Sequence, residues 1–309
     1  MTIQTDSAKH DVEPKHQIFG PVIFGEVLFD CFPDGSRVLG GAPFNVAWHC
    51  QAFGLSPLFI SRVGNDPLGF EIRRAMLDWG MDTSGLQMDS SHPTGIVNVT
   101  LKKGEPTYEI VADSAWDFIQ FDAIPPLKKC TLLYHGSLTL RNSTSACSLK
   151  TLKQNCNGAS FIDVNIRQPW WDKTYIEYIF NHSQWIKVNE EELSFIVPQE
   201  NTIEDKIQYL LSEKGMELVI VTRGKQGAMA VTATDNQYTV KPEPATHVVD
   251  TVGAGDAFSS IMILGKLKNW DIQVSLQRAQ NFASAIVGHR GACVHDKNFY
   301  QFFIDAWAL

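Results

Sequence analysis

Four consecutive apolar residues, Leu218, Val219, Ile220 and Val221, constrain this chain more than any other stretch. A strand with one wet face alternates apolar and polar residues, whereas an unbroken apolar run suits a strand covered on both faces, as in a parallel sheet. Shorter apolar runs at 22–24, 58–60 and 132–134 read as strands too, as do 161–163 and 185–187, which end in Asp163 and Lys187. Amphipathic stretches separate them. Helices are predicted over 42–53, 67–79, 144–154, 203–214, 254–267 and 274–287, with Pro67 suited to a first helical turn. Such alternation predicts an α/β fold: a doubly wound, mainly parallel sheet flanked by helices, joined by right-handed crossovers. The 309 residues suffice for one large domain with a small appended piece.

One region breaks the rhythm. Between Thr94 and Val111 the pattern has period two, with Val97, Val99 and Leu101 alternating with Asn98 and Thr100 before a turn-like 102–106 segment. This predicts a β-hairpin, either a plain edge hairpin or a small sheet acting as a lid. Residues 1–17 are polar and read as a disordered tail, leaving 18–309 as the folded domain. The net charge is −8 with no basic stripe, which argues against nucleic acid or an anionic membrane as partner. No apolar stretch reaches the roughly 18 residues of a membrane helix. The six cysteines lack C-x-x-C spacing and resemble no disulfide framework. With no apolar signal segment, the expectation is a reducing cytoplasm.

The segment richest in chemistry is D-T-V-G-A-G-D-A-F at 250–258, between an expected strand end at Val248 and Val249 and a strongly apolar helix. Gly253, Ala254 and Gly255 leave their backbone amides unobstructed, and those amides open a helix, so they form a ready anion site. Asp256 beside them would compete with a bound anion. Its presence makes sense if the carboxylate deprotonates a hydroxyl that attacks a phosphoryl group held by the amides. On composition alone, a glycine-rich turn with an acidic residue complementing the helix dipole explains the segment better.

The wider sequence favours the chemical reading. The 250–258 segment resembles the C-terminal signature of the ribokinase-like sugar kinases, the phosphofructokinase B type. G-E-V-L-F-D at 25–30, G-G-A-P-F-N-V-A at 40–47 and R-V-G-N-D-P-L-G at 62–69 resemble N-terminal motifs of that family, in family order. The resemblance runs from about residue 22 to 295. It implies a ribokinase-like fold with a β-sheet lid, formed by about 31–41 and 92–116. It also implies ATP-dependent phosphorylation of a sugar hydroxyl.

Site residues follow from the same resemblance. Asp256 is the expected catalytic base, with Gly253, Ala254 and Gly255 as the anion hole. Asp30, Gly41 and Asn45 are expected at the sugar, and Arg167 of the D-x-N-x-R element at the substrate or its new phosphate. Asn189 and Glu192 match an N-x-x-E motif that places Mg²⁺ through water. Thr222, Gly224 and Gly227 resemble the nucleotide-binding turn, although no Walker A sequence is present, and Asn281 is expected near adenine. Asp250, Val252, Ile286, His289 and Gly291 correspond to a monovalent-cation site, with His289 in place of a more usual Arg, so K⁺ is the expected ion. Gly-Gly-Ala-Pro at 40–43, Ala115-Trp116-Asp117 and Trp170-Trp171 lean toward fructokinases. Phe44 departs from the small residue common there. A 2-keto-3-deoxygluconate kinase, a nucleoside kinase and a catalytically silent sugar- or nucleotide-sensing paralogue stay open. A dehydrogenase is disfavoured, because no G-x-G-x-x-G follows the first strand. The exposed alternation of the hairpin permits a homodimer through the lid.

Overall fold

A computed structural model describes residues 20–102, 105–127, 129–171, 173–242 and 249–309. The expected tail, residues 1–17, lies outside the described residues. So do Lys103 and Gly104 of the hairpin turn and Val248 of the expected strand end. The strands are β1 (Val22–Phe24), β2 (Leu28–Cys31), β3 (Arg37–Gly40), β4 (Leu58–Gly64), β5 (Leu86–Asp89), β6 (Gly95–Lys102), β7 (Glu105–Ile110), β8 (Leu132–Gly136), β9 (Ala159–Asp163), β10 (Trp185–Asn189), β11 (Leu218–Thr222), β12 (Ala228–Thr232) and β13 (Gln237–Val240). The helices are α1 (Ala42–Ala52), α2 (Pro67–Asp78), α3 (Ser143–Asn155), α4 (Lys173–His182), α5 (Glu190–Ile196), α6 (Ile203–Ser212), α7 (Ala254–Leu267), α8 (Ile272–Ile286) and α9 (Lys297–Trp307).

Nine strands form the main sheet in the order β13-β12-β11-β10-β9-β8-β1-β4-β5. It is parallel from β11 through β5 and turns antiparallel only at β12 and β13. The all-apolar β11 behaves as its sequence demands. Leu218 and Ile220 join one core with Phe44, Trp48, Phe258 and Phe282, while Val219 and Val221 join the core on the opposite face with Leu149, Ile162 and Leu210. Burying both faces of each strand is what makes the uninterrupted apolar runs stable here and untenable at a surface. The expected α/β architecture is therefore observed, together with the small second sheet.

That second sheet has the order β3-β2-β6-β7, with β2 parallel to β6 and the expected hairpin as β6 and β7. The sequence reading missed α4, α5 and α9, β5 and the β12–β13 pair. Helix α5 has only seven residues, whereas α9 has eleven and a start signal in its Asp296 N-cap that went unread. Val249 sits in a bend, its N–H donating to Val287 O at 2.9 Å, and is not part of a strand.

The cysteine reading is corrected. Cys130, just before β8, and Cys156, at the C-terminus of α3, form a disulfide with Cα atoms 5.1 Å apart. The β8–α3–β9 crossover returns the helix end to the strand start, a proximity invisible in a separation of 26 residues.

Candidate active site

Asn189 and Thr222 end β10 and β11 of the main sheet and Asp256 opens α7, whereas Asp30 lies on β2 of the small sheet and Asn281 in the middle of α8. Gly253 caps α7 in the left-handed region (φ 83°, ψ −6°). A Cβ there would stand 2.3 Å from Ala292 Cβ, so only glycine fits both the dihedral and the space. The chain first enters the helical ladder when Ala257 N donates to Gly253 O at 2.8 Å, leaving the amides of Gly255 and Asp256 ahead of it. Of the three amides expected at the anion site, that of Ala254 donates to Thr251 O at 3.4 Å.

Asp256, 9 % exposed, lies within this turn. Its Oδ2 accepts from Asn45 Nδ2 at 2.8 Å, joining residues 211 apart. Asn45 projects from the first turn of α1, which begins at Gly41 (φ 110°), where any Cβ would meet Glu26 O at 2.6 Å. Asn45 Oδ1 and Asp30 Oδ2 both lie 3.9 Å from the Cβ position of Gly40, so Asp30, Asn45 and Asp256 face a common space. Burial pushes the Asp256 carboxyl up to about 6; Asp163 adds to this, while the Asn45 hydrogen bond and the charges of Lys187 and Arg167 oppose it. Burial likewise raises Asp30 to about 6, against Arg167 and with Asp250.

Lys187 was not singled out in the sequence. Its Nζ pairs with Asp163 Oδ2 at 2.5 Å, both groups being buried. The same ammonium lies 3.3 Å from the Cβ position of Gly255. A buried cation thus stands against the anion-hole backbone. Asp163 Oδ2 also accepts from Ser259 Oγ at 2.9 Å, which locks it to α7. The signal was available: a lysine interrupts an otherwise apolar β10 whose burial pattern leaves it no solvent. Glu26, a buried carboxyl between Gly25 and an apolar run, was missed in the same way.

Arg167 is exposed and, among the described residues, forms no ion pair, yet its charge acts on Glu26, Asp30 and Asp256. Its loop is anchored by Glu192, whose Oε1 accepts from Ile166 N at 2.8 Å. Glu192 Oε2 accepts from Asn189 N at 2.9 Å while Asn189 Oδ1 accepts from Glu192 N at 2.8 Å, a reciprocal capping box on α5. Asn189 pairs in register with Thr222 across β10 and β11. The turn beyond Thr222 carries Gly224 (φ 51°) and Gly227 (φ 90°); a Cβ on Gly227 would strike Val240 O. Asn281, exposed on α8, accepts from Gln277 Nε2 at 2.9 Å.

Asp250 ties two loops together. Its Oδ1 accepts from Val252 N at 3.0 Å and its Oδ2 from Gly291 N at 3.2 Å. Ile286 O accepts from His289 N at 2.9 Å, the His289 ring packs against Phe299, and the Cβ position of Gly291 lies 3.1 Å from Val38 of β3. Among the described residues no three of His, Cys, Asp and Glu converge as a metal cluster.

A buried carboxyl at a helix N-terminus, with a buried ammonium nearby, can take a proton from a hydroxyl and offset charge on a phosphoryl group. Residues 24–297 match the model of the pfkB family carbohydrate kinase, and the chain belongs to that family. It is 33 % identical over 258 residues to a fructokinase of Klebsiella pneumoniae, covering 79 % of this chain and 83 % of that one. A probable fructokinase-5 of Arabidopsis thaliana is 29 % identical over 296 residues, covering 85 % and 89 %. The fructokinase double mutant of Vibrio cholerae O395, solved with fructose, ADP and potassium ion, superposes with a TM-score of 0.79 at 26 % identity, covering 92 % and 98 %. The chain is an ATP-dependent sugar kinase of fructokinase-like type.

Proposed function

We propose that the sugar is fructose, and that Asp256 takes the proton from one of its primary hydroxyls. The observation that carries this reading is the Asn45–Asp256 hydrogen bond, which couples the sugar-side helix α1 to the base at the head of α7. The fructose in the Vibrio cholerae relative supports the choice of sugar. Fructose would be held by Asp30, Asn45 and the Gly41 backbone, with Arg167 reaching in from its loop. The attacking oxygen would lie between Asp256 and the Gly253–Gly255 amides. Charge developing on the transferred group would meet those amides and Lys187.

The nucleotide is placed along Asn189, Thr222, Gly224 and Gly227, with Asn281 at the base. Glu192 fits Mg²⁺ only through water, because each of its oxygens already accepts a backbone amide. When bound, Mg²⁺ would offset charge on the nucleotide's phosphates. K⁺ is placed between the loops that Asp250 joins, on carbonyls of Val252, Ile286 and His289 with Gly291 alongside. The small sheet would close over the sugar and exclude water. Its β3 and β7 edges suit pairing with a second copy. No helix among the described residues is long and apolar enough to cross a membrane, and use of ATP favours the cytoplasm.

A coupled ADP-release assay over fructose, ribose, 2-keto-3-deoxygluconate and nucleosides, with and without K⁺, tests the proposal. Fructose is expected to have the highest kcat/KM, with stimulation by K⁺. Turnover of the sugar acid or a nucleoside in preference to fructose would overturn the choice of sugar.

A further inference from the structure

The loop between β1 and β2 carries a buried carboxyl that neither the catalytic centre nor the packing employs. Glu26 is 4 % exposed, and its Oε2 is buried without a hydrogen-bond partner. Three more buried polar atoms without partners lie around the same loop: Thr139 Oγ1, Trp116 Nε1 and Arg141 Nη1. Thr139 flanks one side, since a Cβ on Gly25 would stand 3.0 Å from its Oγ1. Trp116 flanks the other, since a Cβ on Gly95 would meet its Nε1 at 2.4 Å and Val27 O at 3.2 Å. Arg141 lies 3.9 Å over the Trp116 ring, with Nε and Nη2 on Asp117 and Nη1 left over. Each such group forfeits its hydrogen bonds to water, so four around one loop point to an absent partner.

This loop borders the sugar end of the site. The backbone of Glu26 touches the space beside Gly41, and the charges of Asp256, Arg167 and Arg141 all act on its carboxyl. These groups mix donors, Trp116 Nε1 and Arg141 Nη1, with the carboxyl oxygen Glu26 Oε2, while Thr139 serves as either. A hydroxyl satisfies both kinds at once, donating to the carboxylate and accepting from an N–H. Burial raises the Glu26 carboxyl to about 7, so a neutral hydroxyl suits it in either protonation state, whereas a carboxylate ligand suits it only when it is protonated.

Resting on the fructokinase-like reading above, we propose that Glu26 is a substrate-binding residue. Its Oε2 accepts from a sugar hydroxyl other than the one phosphorylated, and with Arg141 and Thr139 it selects a neutral polyhydroxylated sugar over a sugar acid. A site built to bond a hydroxyl rejects the analogue that lacks it, because its own polar groups are then left unpaired.

The test measures kcat/KM for the wild type, Glu26→Gln and Glu26→Ala on fructose, on its monodeoxy analogues and on 2-keto-3-deoxygluconate. ATP affinity and thermal unfolding serve as controls for folding. One analogue is expected to cost the wild type about ten- to a hundredfold. On that analogue alone the Glu26 variants should cost nothing further, since the hydroxyl they would have bonded is gone. The sugar acid should lose less than fructose in both variants. Penalties that multiply on every analogue would mean that Glu26 supports the loop or holds water, and would overturn the inference. A wild type that turns over no neutral ketohexose would overturn the fructokinase-like reading and this one with it. If Glu26→Ala fails to fold, the near-isosteric Glu26→Gln carries the same comparison.

Discussion

Replacing Asp256 with Asn should produce a protein that is nearly inactive yet more stable than the parent at pH 8. The side chain is 9 % exposed, and burial raises its carboxyl from 3.8 to about 6. A folded-state value above the unfolded one means that stability is fully present below about pH 4 and is lost as pH rises through about 6. The shift of about two units corresponds to roughly 3 kcal/mol that the native state forgoes above pH 6 to keep this group ionised. Asparagine removes that cost and can still bond Asn45. Losing general-base assistance should lower kcat by about a hundred- to ten-thousandfold. Coupled turnover at saturating fructose and ATP, with thermal unfolding of both proteins at pH 8 and pH 5, measures the two effects. The expected gain in Tm is several degrees at pH 8 and smaller at pH 5. Turnover within tenfold of the parent, or a lower Tm at pH 8, would refute the placement of a desolvated base at this turn.

Further expectations follow from the same geometry. The kcat/KM of the wild type should rise with pH through about 6 as Asp256 ionises, and a profile flat from pH 5 to 7 would count against that base. Lys187→Met leaves Asp163 buried without its cation and should destabilise the fold by about 3 kcal/mol in chemical denaturation. Adding Asp163→Asn should restore most of that stability but none of the lost turnover. Gly253→Ala forces a left-handed φ costing about 1–2 kcal/mol and drives a methyl into Ala292, so both Tm and kcat should fall. Adding Ala292→Gly should recover part of the Tm by removing the clash. Glu192→Gln keeps an acceptor for only one of the Asn189 and Ile166 amides and sets its own NH2 against the other, so Tm should fall and the Mg²⁺ concentration needed for half-maximal rate, measured by Mg²⁺ titration, should rise.

Local chemistry made much of this protein legible before folding. Unbroken apolar runs mark strands covered on both faces, and β1, β8, β9, β10 and β11 lie where those runs predicted them. Glycines before an apolar helix mark an anion site because backbone conformation is a local property, and Gly253 has the left-handed dihedral that turn requires. Residues whose meaning depends on distant neighbours were illegible. Lys187 reads as an anomaly in a strand until Asp163 and Gly255 are set beside it, and Glu26 reads as a loop residue until burial strips it of water. The Cys130–Cys156 disulfide and the Asn45–Asp256 bond depend on crossovers that bring segments together from 26 and 211 residues apart. The sequence by itself determined the layered α/β fold and the glycine turn that opens α7 before Asp256, since both arise from short-range sterics and apolar periodicity. Only the tertiary structure decided which charges are desolvated and what they face, because dielectric and proximity belong to the packed chain and not to any stretch of it.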